Sequence, residues 1–153
     1  MKKLALITIF LCSSFAFVEQ AVAQDNYTEG PVWVINYYRT KPGKFDDYMK
    51  FLRANFAKSV AKQKDARIIV DAKVLLNPTI SGPDDWDVAI CYLYSDYSKL
   101  NFDQATFDKV QMIGAEITGE KDTNKRDAQL DTTRFPLRDF LRTRFLREVT
   151  LRP

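Results

Sequence analysis

The sequence contains no histidine. This absence removes the residue that most often serves as a general base, as a zinc ligand and as a haem ligand. Cysteine is scarce as well, with two residues in 153, and glycine is limited to five residues. No glycine-rich phosphate loop, nucleophile elbow or cysteine pair is present. We therefore predict neither a metal nor a cofactor.

Charges of the two signs nearly balance, because 23 lysines and arginines face 20 aspartates and glutamates. Apolar residues make up 46% of the chain, which is enough for a folded core and too much for a disordered protein. The length fits one or at most two domains. Arginines are frequent near the C-terminus, but acids interleave with them and dilute the charge. We expect no nucleic-acid partner.

The N-terminus has the pattern of a secretory signal peptide. Two lysines precede an apolar run over 4–18, and Ala21-Val22-Ala23 then supplies the small residues that a signal peptidase recognises. The run is shorter than the roughly 20 residues that span a bilayer. We predict a cleaved signal peptide over 1–23, a tail over 24–31 and one folded domain over 32–153. The mature protein would be periplasmic or secreted, with no membrane association.

Cys91 would be the single cysteine of the mature chain, since Cys12 lies within the predicted signal peptide. An intramolecular disulfide is then impossible, although the predicted compartment would permit one. Cys91 lies in an apolar, strand-like run without a cationic neighbour in sequence. We interpret it as a small buried hydrophobic residue and not as a nucleophile.

Apolar periodicity predicts four strands and two helices. The loop 77–85 contains two prolines and a glycine, and the second and third strands on either side of it are expected to pair antiparallel. The charged segment 120–133 has almost no large apolar residues and is predicted to be a solvated linker or mobile loop. Asp84, Asp85 and Asp87 are interpreted as solvated acids of a turn, not as a calcium site. The predicted strands are 32–40, 68–76, 86–94 and 140–151, and the predicted helices are 44–63 and 102–117.

The order strand, helix, strand, strand, helix, strand is the βαββαβ arrangement of a ferredoxin-like α+β fold. In such a fold two helices cover one face of an antiparallel sheet, and the other face must be polar or must find a partner. We expect that second face to be rich in aromatic and aliphatic groups and to be buried in a homodimer. The residues expected on it include Asn36, Tyr38, Asp71, Lys73, Tyr92, Tyr94, Arg142 and Arg144.

Six of these residues are candidates for ligand binding. Arginine suits a carboxylate or enolate through its paired donors, and aromatic side chains suit an apolar body. The expected ligand is therefore a small apolar or aromatic molecule, and an anion in particular. In the alternative interpretation, the charged side chains pair with one another across the dimer and bind nothing. The six candidates are Asn36, Tyr38, Asp71, Tyr92, Arg142 and Arg144.

The strand 32–40 leads into Lys41-Pro42-Gly43-Lys44-Phe45-Asp46-Asp47-Tyr48, and a helix, a strand pair and a late helix follow. This series resembles the dimeric α+β barrel superfamily, of the antibiotic-biosynthesis-monooxygenase-like or stress-responsive type, over about Val32 to Leu151. The resemblance implies two ferredoxin-like subunits packed sheet against sheet. Members that ligate haem through histidine are not matched.

Three functions are compatible with this resemblance. The first is binding of a small apolar or aromatic molecule in or near the barrel. The alternative is a cofactor-independent monooxygenase or isomerase that acts on a small aromatic substrate, for which Asn36, Trp33, Trp86 and the Arg142 and Arg144 pair are the available groups. A second alternative is a structural dimeric interaction module.

Overall fold

The structure, a computed structural model, describes residues 26–82 and 84–153. The predicted signal peptide lies outside the described residues. Four strands form one antiparallel sheet in the order β2-β3-β1-β4, so β2 and β4 are its edges. The α+β class and the antiparallel pairing of the second and third strands are confirmed. The strands are β1 (Tyr27–Thr40), β2 (Asp71–Leu76), β3 (Val88–Tyr94) and β4 (Arg138–Leu151).

The helical elements lie between these strands. A π-helical segment, Leu52–Phe56, joins α1 to α2 in one continuous helix, and a short 3₁₀ helix occupies Tyr97–Leu100. No helix in the described part of the chain has the length and apolar character needed to cross a membrane. The α-helices are α1 (Phe45–Phe51), α2 (Ala57–Asp65), α3 (Gln104–Thr118) and α4 (Thr123–Arg134).

The sheet order is compatible with the predicted ferredoxin-like fold. β1 pairs with β3 on one side and with β4 on the other, and β3 also pairs with β2. The number of helices departs from the expected pattern, because α4 follows α3 before the chain enters β4. The polar sequence of α4 gave no apolar periodicity from which this helix could be predicted.

The long strand β1 begins at Tyr27, within the segment expected to be a tail. Its first residues pair with the end of β4, and Tyr27 lies opposite Leu151. A register shift between Glu29 and Val32 accommodates Gly30 and Pro31. A Cβ atom on Gly30 would lie 3.1 Å from the carbonyl oxygen of Glu148, so glycine permits the close approach of the two strands. Pairing with a distant strand therefore overrides the local turn-like sequence.

The core lies between the sheet and the first helix. Tyr48 and Leu52 of that helix pack against Tyr38 of β1 and against Val88 and Ile90 of β3. We call the side of the sheet that carries these residues the helix-covered face. Burial of several large side chains in one cluster stabilises the docking of the helix by a few kcal/mol for each side chain.

A second cluster fixes α3 on the same side of the sheet. Ile113 packs against Ile68 and Ile69, which lie just before β2. The second strand therefore starts at Asp71 and not at Ile68 as predicted, because these two isoleucines pack against α3 instead of joining the ladder. The opposite side of the sheet carries Ile35 and Cys91, and we call it the open face.

The expectation of a linker or mobile loop over 120–133 is wrong, because most of this segment is the helix α4. Asp122 caps the helix by accepting a hydrogen bond from the backbone N–H of Lys125 at 3.1 Å. Arg126 is buried and donates to the side chain of Gln111 and to its carbonyl oxygen at 3.2 Å. α4 is therefore held by a buried polar contact with α3, which an apolar periodicity cannot indicate.

Asp87 is not the solvated turn acid that the sequence suggested. It is buried, and its carboxylate accepts hydrogen bonds from the backbone N–H of Thr40 at 2.9 and 3.1 Å and from the Thr40 hydroxyl. The carbonyl oxygen of Asp87 accepts the N–H of Asn77 at 2.9 Å, which closes the base of the loop 77–85. Asp87 thus joins the ends of β1 and β2 beside β3.

Replacing Asp87 by alanine should lower the free energy of unfolding by about 2 kcal/mol, because the buried N–H and hydroxyl of Thr40 would lose their acceptor. Denaturation in urea would measure the change in the midpoint at constant slope. Asp84→Ala is the matched control, since Asp84 is exposed in the same loop. Equal stability of the two variants would contradict the role assigned to Asp87.

Candidate binding site

The six predicted site residues lie on opposite sides of the sheet. Asn36 pairs with Ile90, and Tyr38 pairs with Val88, so both lie on the helix-covered face together with Tyr92. The strand pairing places the other three residues on the open face. The structure therefore brings together two groups of three and does not form one site from all six. Those on the open face are Asp71, Arg142 and Arg144.

A cavity of about 280 Å³ lies between the helix-covered face and the helices. Its volume is near the lower limit of typical small-molecule sites, roughly 300–1,000 Å³. The first helix, α3, α4 and the start of β4 all contribute side chains to its wall. Two predicted site residues, Tyr38 and Tyr92, line it. The other aromatic residues of the wall are Tyr48, Phe51 and Phe56.

The aromatic rings of the wall contact one another in fixed geometries. Tyr38 and Tyr48 meet edge to face with ring centroids 6.2 Å apart, and Tyr48 stacks on Phe51 at 6.3 Å. Phe56 and Tyr92 form another edge-to-face pair at 5.7 Å. Such pairs are favourable beyond the area they bury, and they hold the rings in place. The wall is therefore a preformed aromatic surface.

Arg138 places a positive charge against this aromatic wall. It is the first residue of β4, lies opposite Thr40, and is 8% exposed. Its Cζ atom lies 3.6 Å from the ring centroid of Tyr38 and 5.3 Å from that of Tyr48, which are cation–π distances. The Nε–H of Arg138 is buried without a hydrogen-bond partner. The guanidinium therefore has an unpaired donor, and Arg138 lines the cavity.

Tyr48 adds a second unused donor. Its side chain is fully buried, and its hydroxyl has no hydrogen-bond partner. Burial raises the pKa of Tyr48 well above its usual range, which Arg138 opposes in part, and burial likewise raises the pKa of Tyr92. The phenols of Tyr48 and Tyr92 therefore remain protonated at neutral pH.

The π-helical segment lies at the wall of the cavity. Leu52, Asn55 and Phe56 all belong to it and all line the cavity. The backbone N–H of Ala57 donates to the carbonyl oxygen of Leu52, and the side chain of Asn55 donates to the carbonyl oxygen of Phe51 at 3.0 Å. Segments of this kind are rare within helices and occur often at functional sites.

The helix α4 covers one side of the cavity with Leu130 and Arg134. Arg134 forms an ion pair with Asp131, three residues earlier on the same helix. Its guanidinium therefore already has a counter-ion, in contrast to that of Arg138. Because Arg126 anchors α4 on α3, the position of α4 at the cavity depends on a contact outside the cavity.

The predicted residues on the open face take part in other contacts. Arg142 lies 5.0 Å from the ring centroid of Tyr37, and Lys73 lies 4.9 Å from that of Trp33. Asp71 pairs with Lys64 at 2.8 Å, and this hydrogen bond lowers the pKa of Asp71. Asp71 therefore pairs within its own chain. The alternative interpretation of the sequence had the charged side chains pair across the dimer instead.

Cys91 is buried under the aromatic residues of the open face, which confirms its interpretation as a small core residue. Burial raises the pKa of its thiol, so the thiolate is disfavoured. Within residues 26–82 and 84–153, no three acid or cysteine side chains come together as a set that could hold a metal ion.

Sequence reasoning missed the two most informative residues of the cavity. In the sequence, Tyr48 recurs at helical spacing with the apolar residues of the first helix, and Arg138 is one of several arginines near the C-terminus. A hydroxyl within an otherwise apolar stripe is a signal that could have singled out Tyr48. No comparable signal exists for Arg138, because its burial depends on how β4 meets the first helix.

Comparison of the chain with protein-family models, with curated proteins and with solved structures finds no match in any of the three. The site is therefore defined by its geometry alone.

Gly114 of α3 lies directly under the anchor of α4. A Cβ atom at this position would lie 3.0 Å from Nε and 3.1 Å from Cζ of Arg126. We expect Gly114→Ala to displace Arg126 and to speed amide hydrogen exchange over 123–134. Local exchange is the right measurement, because alanine also gains about 1 kcal/mol of helix propensity over glycine.

The matched control is Gly82→Ala, since a Cβ atom on Gly82 would meet nothing within 4 Å. Unchanged exchange in α4 of the Gly114→Ala protein would show that Arg126 does not hold this helix.

Proposed function

We propose that this protein binds a small apolar or aromatic molecule in the cavity between its sheet and its helices. The observation that carries the proposal is the preformed aromatic wall around a cavity of about 280 Å³. Ligand sites are concave and present apolar surface together with some polar groups, and this cavity is concave and lined by more apolar than polar surface. The π-helical segment at its wall is a further feature typical of functional sites.

The chemistry of the wall favours binding over proton-transfer catalysis. Among the described residues that line it, none is an aspartate, a glutamate or a cysteine. The phenols of Tyr48 and Tyr92 have raised pKa values, so they cannot serve as bases near neutral pH. An isomerase or a cofactor-independent monooxygenase would need a group that accepts a proton from the substrate. We therefore favour a binding protein over the enzymatic alternative.

We further propose that the protein is exported and acts in the periplasm or outside the cell. The support is the charged start, the apolar run over 4–18 and the small residues of Ala21-Val22-Ala23. A binding protein in this compartment would meet small molecules before they enter the cell.

The finer fold proposal is a homodimer of the α+β barrel type, formed by two ferredoxin-like subunits. The open face includes the half-exposed Leu75 and Leu146, at 45% and 50% exposure. It also carries Arg142 and Arg144 together with Asp139, so charges of both signs lie on one surface. A two-fold interface brings the same surface of each subunit together and therefore needs such self-complementarity.

Filling the cavity should abolish ligand binding. Ser59 lines the cavity from α2, so Ser59→Phe would place a ring inside it, whereas Ala57→Phe adds the same ring to an exposed position of the same helix. The probes are benzoate, phenylacetate, 2-naphthoate and their amides, measured by thermal shift and calorimetry. We expect the unmodified protein and Ala57→Phe to be stabilised, by about 2.7 kcal/mol at a ligand concentration 100 times Kd.

Ser59→Phe should show no such stabilisation. Retained binding in Ser59→Phe, or no binding of any probe to the unmodified protein, would contradict the proposed function.

The mass in solution tests the dimer. We expect light scattering to give twice the mass of the mature chain, and Leu146→Asp to shift it toward one chain, because a carboxylate would be buried without a partner at the interface. Phe107→Asp is the control, since Phe107 is exposed on α3, and α3 lies on the other side of the sheet from the open face. A monomeric parent protein would refute the barrel proposal.

A further inference from the structure

Arg138 is a buried charge without a counter-ion. It is 8% exposed, and none of the ion pairs among the described residues includes it. Arginine is almost never buried without a partner, because taking a charge out of water is costly. Its contact with the ring of Tyr38 at 3.6 Å recovers part of this cost. An anion bound beside the guanidinium would offset the remainder.

Tyr48 points to the same kind of ligand. A fully buried hydroxyl without a partner is unfavourable, and Tyr48, which lines the same cavity, has such a hydroxyl among the described residues. Because burial keeps the phenol protonated, the hydroxyl is available as a donor. Three elements, the first helix, α4 and the start of β4, thus carry unpaired donors on residues that line one cavity, since the Nε–H of Arg134 also has no partner among the described residues.

The charge and size of the cavity limit which anion fits. Arg134, the other arginine of the wall, is already paired with Asp131, so the cavity offers one uncompensated positive charge. A phosphate would bring up to two negative charges and would need more donors. A carboxylate brings one charge, and its two oxygens match the paired donors of a guanidinium. The aromatic wall requires that the rest of the ligand be apolar.

We propose that the cavity selects an aromatic or apolar monocarboxylate, whose carboxylate accepts hydrogen bonds from the guanidinium of Arg138 and the hydroxyl of Tyr48. This inference rests on the proposed function, because it names the ligand class of the same cavity. A purely structural role of Arg138, as a cation stacked on Tyr38, would make binding indifferent to the charge of the ligand.

The test compares each acid with its neutral amide. Calorimetry at pH 7 measures the binding of benzoate, phenylacetate and 2-naphthoate and of the three matching amides to the purified protein. We expect each acid to bind roughly tenfold or more tightly than its amide, because a hydrogen bond to a charged group is worth about 1.5–3 kcal/mol. Equal affinities for acids and amides would overturn this inference and would leave the proposed function intact. Absence of binding by all six compounds would refute both.

Variants of Arg138 and Tyr48 measure separately how much each donor contributes to the affinity for the acids. Arg138→Gln should lower acid affinity to that of the amides, and Arg138→Lys should restore part of the preference because it keeps the charge. Tyr48→Phe should weaken the acids several-fold without loss of stability, since it removes an unpaired buried hydroxyl. Arg142→Gln, on the open face, should change neither affinity.

The amide and acid series on the unmodified protein decides the question even if Arg138→Gln fails to fold. An unchanged preference for acids in both Arg138→Lys and Tyr48→Phe would overturn the assignment of these two donors.

Discussion

The contact between Tyr48 and Tyr38 is the interaction on which the rest of the structure depends. It joins the first helix to the central strand of the sheet, with ring centroids 6.2 Å apart. This contact fixes the first helix in the position in which its π-helical segment faces β3. The same two rings lie beside the guanidinium of Arg138. The same aromatic pair therefore belongs to the core, forms part of the wall of the cavity and contacts the single uncompensated charge of the cavity.

Most of the secondary structure could be predicted from the sequence, because the elements that pack on apolar residues carry a clear period. The first helix, α3 and β3 differ from prediction by at most two residues at either end. Prediction failed where polar or distant contacts decide the structure. α4 is held by Arg126 on Gln111, and the start of β1 is held by pairing with the end of β4.

The candidate site was predictable only in part, and the reason lies in the faces of the strands. Tyr38 and Tyr92 were singled out from the sequence, but they lie on the helix-covered face and not on the open face. A strand with large side chains on both faces gives no contrast from which the buried face can be assigned. Arg142, in contrast, lies on the open face, and a register shift in β4 separates it from Phe140.

The position of β4 at the edge of the sheet has a consequence for aggregation. β4 pairs with β1 on one side only, so the outer side of this fourteen-residue strand, with exposed Phe145 and Val149, is a template onto which another strand could add. Arg142 and Arg144 interrupt this strand, whereas Arg147 is already paired with Glu29. Positive charges between apolar residues disfavour the addition of a second copy and suppress the growth of a fibril. Arg142 and Arg144 are therefore suited to act as gatekeepers against aggregation.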